Sequence, residues 1–238
     1  MPTRNLTTIV VITHNYGRFL AAAVESAVNQ TRPVPVVIMD DGSTDETDAV
    51  VRALLARHPG LRIHRSAEVC GLSATRNAAV RHVQSDWVVY LDADDWLDLR
   101  FIERGEDWLD LHPGVDVVTT DMTVVREGRR PFVSRSRPPT GWQDLARKNG
   151  IVQTSFIRRS VILALDGYDS ALDYEDWDFW IRAAKAGYAF GRLPGAHVYR
   201  REHGLNKSKT CDEARAIMQI RERHFAEPAS RRRWWRTS

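Results

Sequence analysis

The sequence predicts an α/β fold: a mostly parallel central sheet flanked by helices, with a smaller lobe built onto the same core. Three observations predict it. Short, β-branched apolar runs alternate with segments of helical spacing over the first half of the chain, and each run ends in a polar or acidic cluster. The regularity then breaks near Gly128, and no clean repeat follows. With 238 residues, 43% of them hydrophobic, the chain can bury one substantial core.

Thr8-Ile9-Val10-Val11-Ile12-Thr13 reads as a strand buried on both faces, because β-branched residues suit a pleated sheet and no polar alternation interrupts them. Apolar spacing from Phe19 to Gln30 predicts a helix. Val34 to Met39 is the second strand, with proline confined to its start because proline donates no ladder hydrogen bond. The polar turn Asp40-Asp41-Gly42-Ser43-Thr44 follows, then a helix from Asp45 to Arg57. Leu61 to His64 and a helix from Ser73 to Val83 form a third unit, and Trp87-Val88-Val89-Tyr90-Leu91 is the fourth strand. A helix from Phe101 to Leu111 and a strand from Val115 to Met122 complete the regular half, residues 1–122. The proline- and arginine-rich segment Gly128 to Gly141 is either a loop over a site or a surface excursion. Beyond it, a strand at Gln153 to Ile157 and helices near Ser160 to Leu165, Glu175 to Ala186 and Asp212 to Phe225 make the lobe, residues 123–226. Residues 227–238 form a basic, tryptophan-containing tail.

The net charge is only +3, with the positive excess local to Arg129-Arg130, Arg135, Arg137 and Arg231-Arg232-Arg233. That suits anionic ligands and does not point to nucleic acid. The two cysteines, Cys70 and Cys211, lack any C-x-x-C spacing, which argues against a disulfide scaffold or zinc knuckle and fits a reducing cytoplasm. No apolar run approaches the roughly 20 residues that span a bilayer, so the expectation is a cytoplasmic protein that does not cross the membrane. The tail mixes arginines with Trp234-Trp235, which suits either peripheral contact with an anionic membrane or a solvated terminus.

In an open parallel sheet, ligands bind beyond the carboxyl ends of the strands. Here those ends deliver His14-Asn15, Asp40-Asp41 and Asp92-Ala93-Asp94-Asp95 to one rim. Three carboxylates within four residues repel one another unless a cation offsets them, and Mg²⁺ or Mn²⁺ does so through oxygen ligands while leaving positions for phosphate. The competing reading is that Asp94-Asp95 cap a following helix. Asp40-Asp41-Gly42-Ser43 is either an ordinary Asx turn or a nucleotide contact. Gly71-Leu72-Ser73-Ala74-Thr75-Arg76-Asn77 places free N–H groups and Arg76 at a helix start, for an anion or as plain capping. Tyr174-Glu175-Asp176-Trp177-Asp178-Phe179-Trp180 sets acids at a helix start among aromatics, as caps or as a general base. In Tyr199-Arg200-Arg201-Glu202-His203, His203 is a candidate metal ligand and Arg200 a candidate phosphate clamp.

This ordered series strongly resembles the family 2 glycosyltransferases with the GT-A fold, over Thr8 to about Ser208. The resemblance rests on Val11-Ile12-Thr13-His14-Asn15, Ser26 through Gln30-Thr31, Asp40-Asp41-Gly42-Ser43-Thr44-Asp45, Gly71 to Asn77, Leu91-Asp92-Ala93-Asp94-Asp95 and Glu175-Asp176. It departs from the family pattern at His14, where tyrosine is common, at Val69-Cys70, where asparagine is frequent, and at Thr75, where alanine is usual. The resemblance implies a nucleotide-sugar-binding first half and an acceptor-side lobe. It implies an inverting, metal-dependent transfer from a nucleotide-diphosphate donor, UDP by family frequency, to a hydroxyl of a saccharide, lipid-linked saccharide or small metabolite. Donor contacts then fall to Thr13, Asn15, Asp41 at the base, Arg76, Asp92 at the ribose, and Asp94. The divalent metal, Mn²⁺ or Mg²⁺, falls to Asp94 and His203, and the catalytic base is Asp176. Asp40, Asp95, Glu175 and Arg200 take supporting roles, and Trp142, Trp177 and Trp180 suit an acceptor. The rival readings are a non-catalytic nucleotide-sugar-binding protein and a sugar nucleotidyltransferase. The latter should show a glycine-rich loop after the first strand, where this chain has His14-Asn15-Tyr16-Gly17.

Overall fold

The computed structural model describes residues 6–146, 148–204 and 212–225; the basic tail and Cys211 lie outside them. Strands β1 (Thr7–Thr13), β2 (Val36–Asp40), β3 (Arg62–Arg65) and β4 (Trp87–Asp92) alternate with helices α1 (Gly17–Val28), α2 (Thr47–Arg57) and α3 (Leu72–Ala79). Then come β5 (Trp96–Leu97), α4 (Phe101–Leu111), β6 (Val117–Arg126), β7 (Phe132–Ser134), β8 (Phe156–Arg158), α5 (Arg159–Ala164), α6 (Glu175–Lys185), β9 (Phe190–Glu202) and α7 (Glu213–Phe225).

All the strands join one sheet in the order β3-β2-β1-β4-β8-β6-β9-β5, with β7 added to β6. The first four are parallel, with Val11 opposite Ile38 on one side and Leu91 on the other. β8 then enters antiparallel between β4 and β6, whereas the long β6–β9 ladder is again parallel. Strand order reverses beside β1, which takes β2 on one side and β4 on the other, so the crevice outside their carboxyl ends is where a ligand belongs.

The period-two alternation of β1 splits the core into two layers. Ile9 and Val11 pack with Leu20, Val24, Leu54, Phe101 and Ile102 of α1, α2 and α4. Val10 and Ile12 pack into the layer of Val161, Ile162, Phe179, Trp180 and Ile220, on α5, α6 and α7. In the first layer a Cβ on Gly105 would sit 2.0 Å from Cζ of Phe156, a ring stacked on Phe101. Gly105→Ala is therefore expected to destabilise the protein by about 1–3 kcal/mol through overpacking, although alanine is the better helix former by about 1 kcal/mol. Urea unfolding of the two proteins checks it.

The second layer is fastened by Asp178, fully buried on α6, which accepts hydrogen bonds from Arg182 Nε (2.7 Å) and His224 Nε2 (2.7 Å) and pairs with Arg223 (3.1 Å). Burial alone would raise its pKa, but the bonds from His224 and Arg182 outweigh burial and hold it below the usual carboxylate value. A depressed carboxylate contributes stability that is present above its unfolded pKa, near 3.8, and lost as pH falls through the folded one. Asp178→Asn is thus expected to lower the urea midpoint at pH 7 and to narrow its gap from wild type at pH 3.

Several expectations shift. α3 ends at Ala79 and not Val83, and β6 runs on to Arg126, so one ladder crosses residue 122. The segment from Gly128 to Gly141 contains β7, hairpinned onto β6, and Ser136 N–H donates to buried Asp121 Oδ1. β9 occupies a stretch, with Gly191, Pro194 and Gly195, to which the sequence analysis assigns no element. A register shift on the β6–β9 ladder accommodates them, as Thr120 pairs with Leu193 and Asp121 with His197.

Candidate active site

The loops after β1 and β4, the start of α6 and the segment 148–154 enclose a cleft of about 830 Å³. It is lined by Thr13, Asp41, Arg76, Asp92, Asp94, Asp95, Glu175, Asp176 and Arg200, so residues up to 187 positions apart meet in one place. Asn15, Asp40 and His203 lie outside the lining, although His203 bonds to one of its carboxylates.

The acidic turn is built by the sheet. Ala93 N–H donates to Ile12 O and Asp95 N–H to Asp92 O, after which the chain enters β5 and not a helix. The carboxylates of Asp94 and Asp95 are therefore not helix caps. Because β5 pairs with β9, Trp96 lies opposite Tyr199 and the end of β9 arrives beside the turn. Asp95 Oδ1 accepts the Arg201 N–H (2.9 Å), and His203 Nε2 lies 3.0 Å from Asp94 Oδ2. The His203 ring packs against Phe19 and Tyr16, with centroids 5.0 and 5.8 Å away. Burial and the charge of Asp92 raise the pKa of Asp94 despite the bond from His203. Burial and both neighbouring carboxylates push Asp95 well above its ordinary value, and Tyr16 is raised by burial and by Asp94.

This is a surplus of negative charge, which is what a cation would relieve. His203 Nε2 and Asp94 Oδ2, hydrogen-bonded at 3.0 Å, are close enough for one ion to take both in place of the shared proton. Among the described residues no cluster of three or more His, Cys, Asp or Glu forms a complete metal cage. A pair of protein donors, with water and phosphate oxygens for the rest, nevertheless fits Mg²⁺ or Mn²⁺.

The other strand-end cluster divides its labour. Asp40 makes the turn, accepting Ser43 N–H through Oδ1 and pairing with Arg65 through Oδ2 (2.6 Å), and Gly42 takes the positive φ of 65°. Asp41 instead receives the Cys70 and Gly71 N–H groups at 2.7 and 2.8 Å, which brings the start of α3 to the cleft. Asn15, itself at φ 56°, accepts the Thr44 N–H and braces the same turn. The three departures from the family pattern are all absorbed locally. His14 Nδ1 donates to Asp41 O (2.6 Å), Cys70 serves through its backbone, and Thr75 Oγ1 donates to Gly71 O.

Arg76 is buried, not extended toward solvent. Its guanidinium donates to Glu175 Oε1 (2.7 Å) and to Asp92 Oδ1 (3.2 Å), tying the acidic turn to the start of α6. Burial would lower its pKa, but Asp92 and Glu175 hold it above the ordinary arginine value, so it stays charged. Asp176, next along α6, is oriented at both oxygens: Trp177 N–H donates to Oδ1 (2.8 Å) and Asn149 Nδ2 to Oδ2 (3.0 Å). Asn149 Oδ1 in turn accepts the Ile151 N–H, which fixes the amide with its NH₂ toward the carboxylate. Lys148 and Asn149 line the cleft from an irregular loop that shows no periodicity to read, and Gln153 and Thr154, expected in a strand, line it from the loop before β8, which begins only at Phe156. Of the three tryptophans assigned to an acceptor, only Trp177 lines the cleft. Trp180 is fully buried, and Trp142 stacks on Phe225.

Known proteins resemble this chain in sequence and in fold. The glycosyl transferase family 2 profile matches residues 8–163. The chain is 35% identical over 126 residues to chondroitin synthase of Escherichia coli and 34% identical over 213 residues to that of Pasteurella multocida. These matches take in 52% and 85% of the chain but only 18% and 21% of those larger proteins. In fold it is similar to S. aureus TarS residues 1–349 in complex with UDP-GlcNAc, with TM-score 0.74 at 20% identity, over 94% of this chain and 68% of that one. It is also similar to a mannosyltransferase from Pyrobaculum calidifontis in complex with GDP-Man and Mn²⁺, with TM-score 0.71 at 20% identity, over 94% and 66%.

Proposed function

Because the chain belongs to glycosyl transferase family 2 and has the GT-A fold, we propose that it transfers a sugar from a nucleoside diphosphate donor, UDP first, to an acceptor hydroxyl by a single inverting displacement. The acceptor class is a saccharide, lipid-linked saccharide or small metabolite. One observation carries the reading: two acidic groups, Asp92-Asp94-Asp95 from the end of β4 and the turn after it and Asp176 from α6, enter a single cleft and are joined through Arg76 and Glu175. In this reading the first half of the chain binds the donor and the second presents the acceptor.

Thr13 and Asp41 take the nucleoside side, where Asp41 also holds the Cys70–Gly71 backbone in place. Asp92 takes the ribose side, and Arg200, on the cleft wall, would clamp a phosphate. Asp94 and His203 would hold Mn²⁺ or Mg²⁺, which when bound supplies positive charge for the departing diphosphate. Asp176 receives the acceptor proton as the acceptor oxygen bonds to the anomeric carbon. The bond from that carbon to the diphosphate oxygen breaks, and its electron pair leaves with the diphosphate. Asn149 and the Trp177 N–H keep the carboxylate of Asp176 aimed during this step. Nucleotide sugars are cytoplasmic metabolites, so we place the activity there. No helix among the described residues is long and apolar enough to cross a membrane.

A thermal-shift screen of UDP-, GDP- and dTDP-sugars with Mn²⁺ tests the reading, because a ligand that binds only the folded state raises its stability, by about 2.7 kcal/mol at 100 times Kd. One nucleotide class is expected to shift the melting temperature of the wild type. Asp94→Ala or EDTA is expected to remove the metal-dependent part of the shift and the donor hydrolysis. If Asp94→Ala retains both, the metal assignment is wrong.

A further inference from the structure

The acids and the donor account for one side of the cleft; its other approach is basic. Residues 128–149 carry Arg129, Arg130, Arg135, Arg137, Arg147 and Lys148 against the single acid Asp144, a net of +5 where the whole chain carries +3. Asp144 is occupied by Thr140, whose N and Oγ1 both lie 2.8 Å from its Oδ2. Elsewhere arginines such as Arg32, Arg65, Arg158 and Arg192 meet carboxylates. The side chains of Arg129, Arg130, Arg135, Arg137 and Lys148 are exposed and make no hydrogen bond or ion pair among the described residues. Unpaired like charges in one stretch of chain repel one another, a cost that an anionic ligand would reverse.

The stretch leads to a defined place. Ser136 N–H is held by Asp121 Oδ1, and Arg137 N–H donates to Gly150 O at 2.7 Å, where a Cβ on Gly150 would lie 2.8 Å from Arg137 O. The backbone bearing Arg135 and Arg137 is therefore packed on the loop whose Lys148, Asn149 and Ile151 line the cleft. Asn149 touches Asp176, the group that must meet the acceptor hydroxyl. The remainder of the cleft sets Asp92, Asp94, Asp95, Asp173, Glu175 and Glu213 against Arg200 and Arg76, the latter already paired with Asp92 and Glu175, so its acids outnumber its cations and favour an anionic acceptor less than the basic stretch does.

We propose that the acceptor is a polyanionic glycan, bearing carboxylate or phosphate groups along its chain, and that Arg135, Arg137 and Lys148 form the track that brings its end to Asp176. This rests on the transferase reading above and narrows its substrate class. Contacts of this kind weaken with salt, since exposed charges more than about 8 Å apart are screened at physiological ionic strength.

The test uses the full chain and four probes: oligogalacturonate for carboxylate, polyphosphate for phosphate, neutral dextran, and phosphatidylglycerol vesicles. Binding is followed by fluorescence anisotropy or sedimentation at two salt concentrations. The wild type is expected to bind at least one of the two soluble polyanions in a salt-sensitive manner and dextran not at all. The variant Arg135→Ser/Arg137→Ser/Lys148→Ser is expected to bind the polyanion about tenfold or more weakly. A charge-matched control, Arg62→Ser/Arg81→Ser/Arg215→Ser, removes three exposed cations elsewhere and is expected to bind like the wild type. Comparable loss in the control, binding of the triple variant within twofold of wild type, or equal binding of dextran would overturn the proposal. So would binding to vesicles alone that is lost on Phe132→Ser/Val133→Ser, which would make this face a lipid contact. Failure of every nucleotide sugar to stabilise the wild type would count against the transferase reading, whereas these outcomes bear on the track.

Discussion

Asp176→Asn is expected to reduce sugar transfer by about 10²- to 10⁴-fold, the usual contribution of a positioned general base, with donor binding intact. The substitution is close to isosteric. The side-chain carbonyl can still accept the Trp177 N–H, which keeps the start of α6 in place, while the new NH₂ meets the Asn149 NH₂ and that one hydrogen bond is lost. What is lost is the oxygen that Asn149 holds ready for a proton. Asp176 comes from the start of α6 and Asp94 from the turn after β4, and Asn has the shape of the carboxylate it replaces, so metal-dependent stabilisation by the donor should persist. Steady-state kinetics with an identified acceptor, beside thermal shift with donor and Mn²⁺, separate the two effects. A variant with wild-type kcat would remove Asp176 as the base, and one that had lost donor stabilisation would assign it to binding instead.

Arg76→Met is expected to cost about 3–5 kcal/mol in stability, the penalty for stranding one partner of a buried ion pair. Arg76 is 1% exposed and Glu175 4%, so a methionine of similar length leaves the Glu175 carboxylate in the core without its guanidinium. Arg76→Met/Glu175→Gln should recover much of the loss, because a buried pair replaced as a unit is often close to neutral. Recovery of stability without recovery of activity is the informative pattern. Asp92 would still lack its partner and Asp176 would be left on a differently anchored helix end. Urea unfolding of the three proteins measures the first, and donor turnover the second. A single-variant loss under about 1 kcal/mol would mean that water or a shifted side chain satisfies Glu175.

The first half of the fold is readable because β1, β2 and β4 are buried on both faces and so announce themselves as continuous apolar runs, β-branched throughout in β1. Helices α1, α2 and α4 follow for the same reason, each with an apolar stripe facing a sheet already inferred. β9 defeats that logic. Its glycines and proline are turn residues by composition, and only pairing with β6, from a distant part of the chain, makes them strand. The antiparallel insertion of β8 between β4 and β6 is likewise a choice made in three dimensions. At the site, acids at strand ends stand out because their position follows from the sheet. The difference between Asp40, spent on a turn, and Asp41, directed to the α3 loop, depends on which backbone N–H groups come near, and sequence does not display that. Asn149 was invisible for a related reason: an amide in an irregular loop acquires meaning only from the carboxylate folded against it.

The register shift within the β6–β9 ladder has a consequence for how this chain can tolerate change. From Thr120↔Leu193 to Asp121↔His197, one step on β6 corresponds to four on β9, so the sheet holds slack upstream of His203. In an unbroken ladder, an insertion of one residue would turn every later side chain to the opposite face, and His203 would swing away from Asp94. Here an added or deleted residue near Pro194 and Gly195 can be taken up in the bulge before it propagates. The position of a candidate metal ligand is thereby insulated from length variation in the strand that carries it, and this stretch is the natural place to graft a loop without disturbing the site.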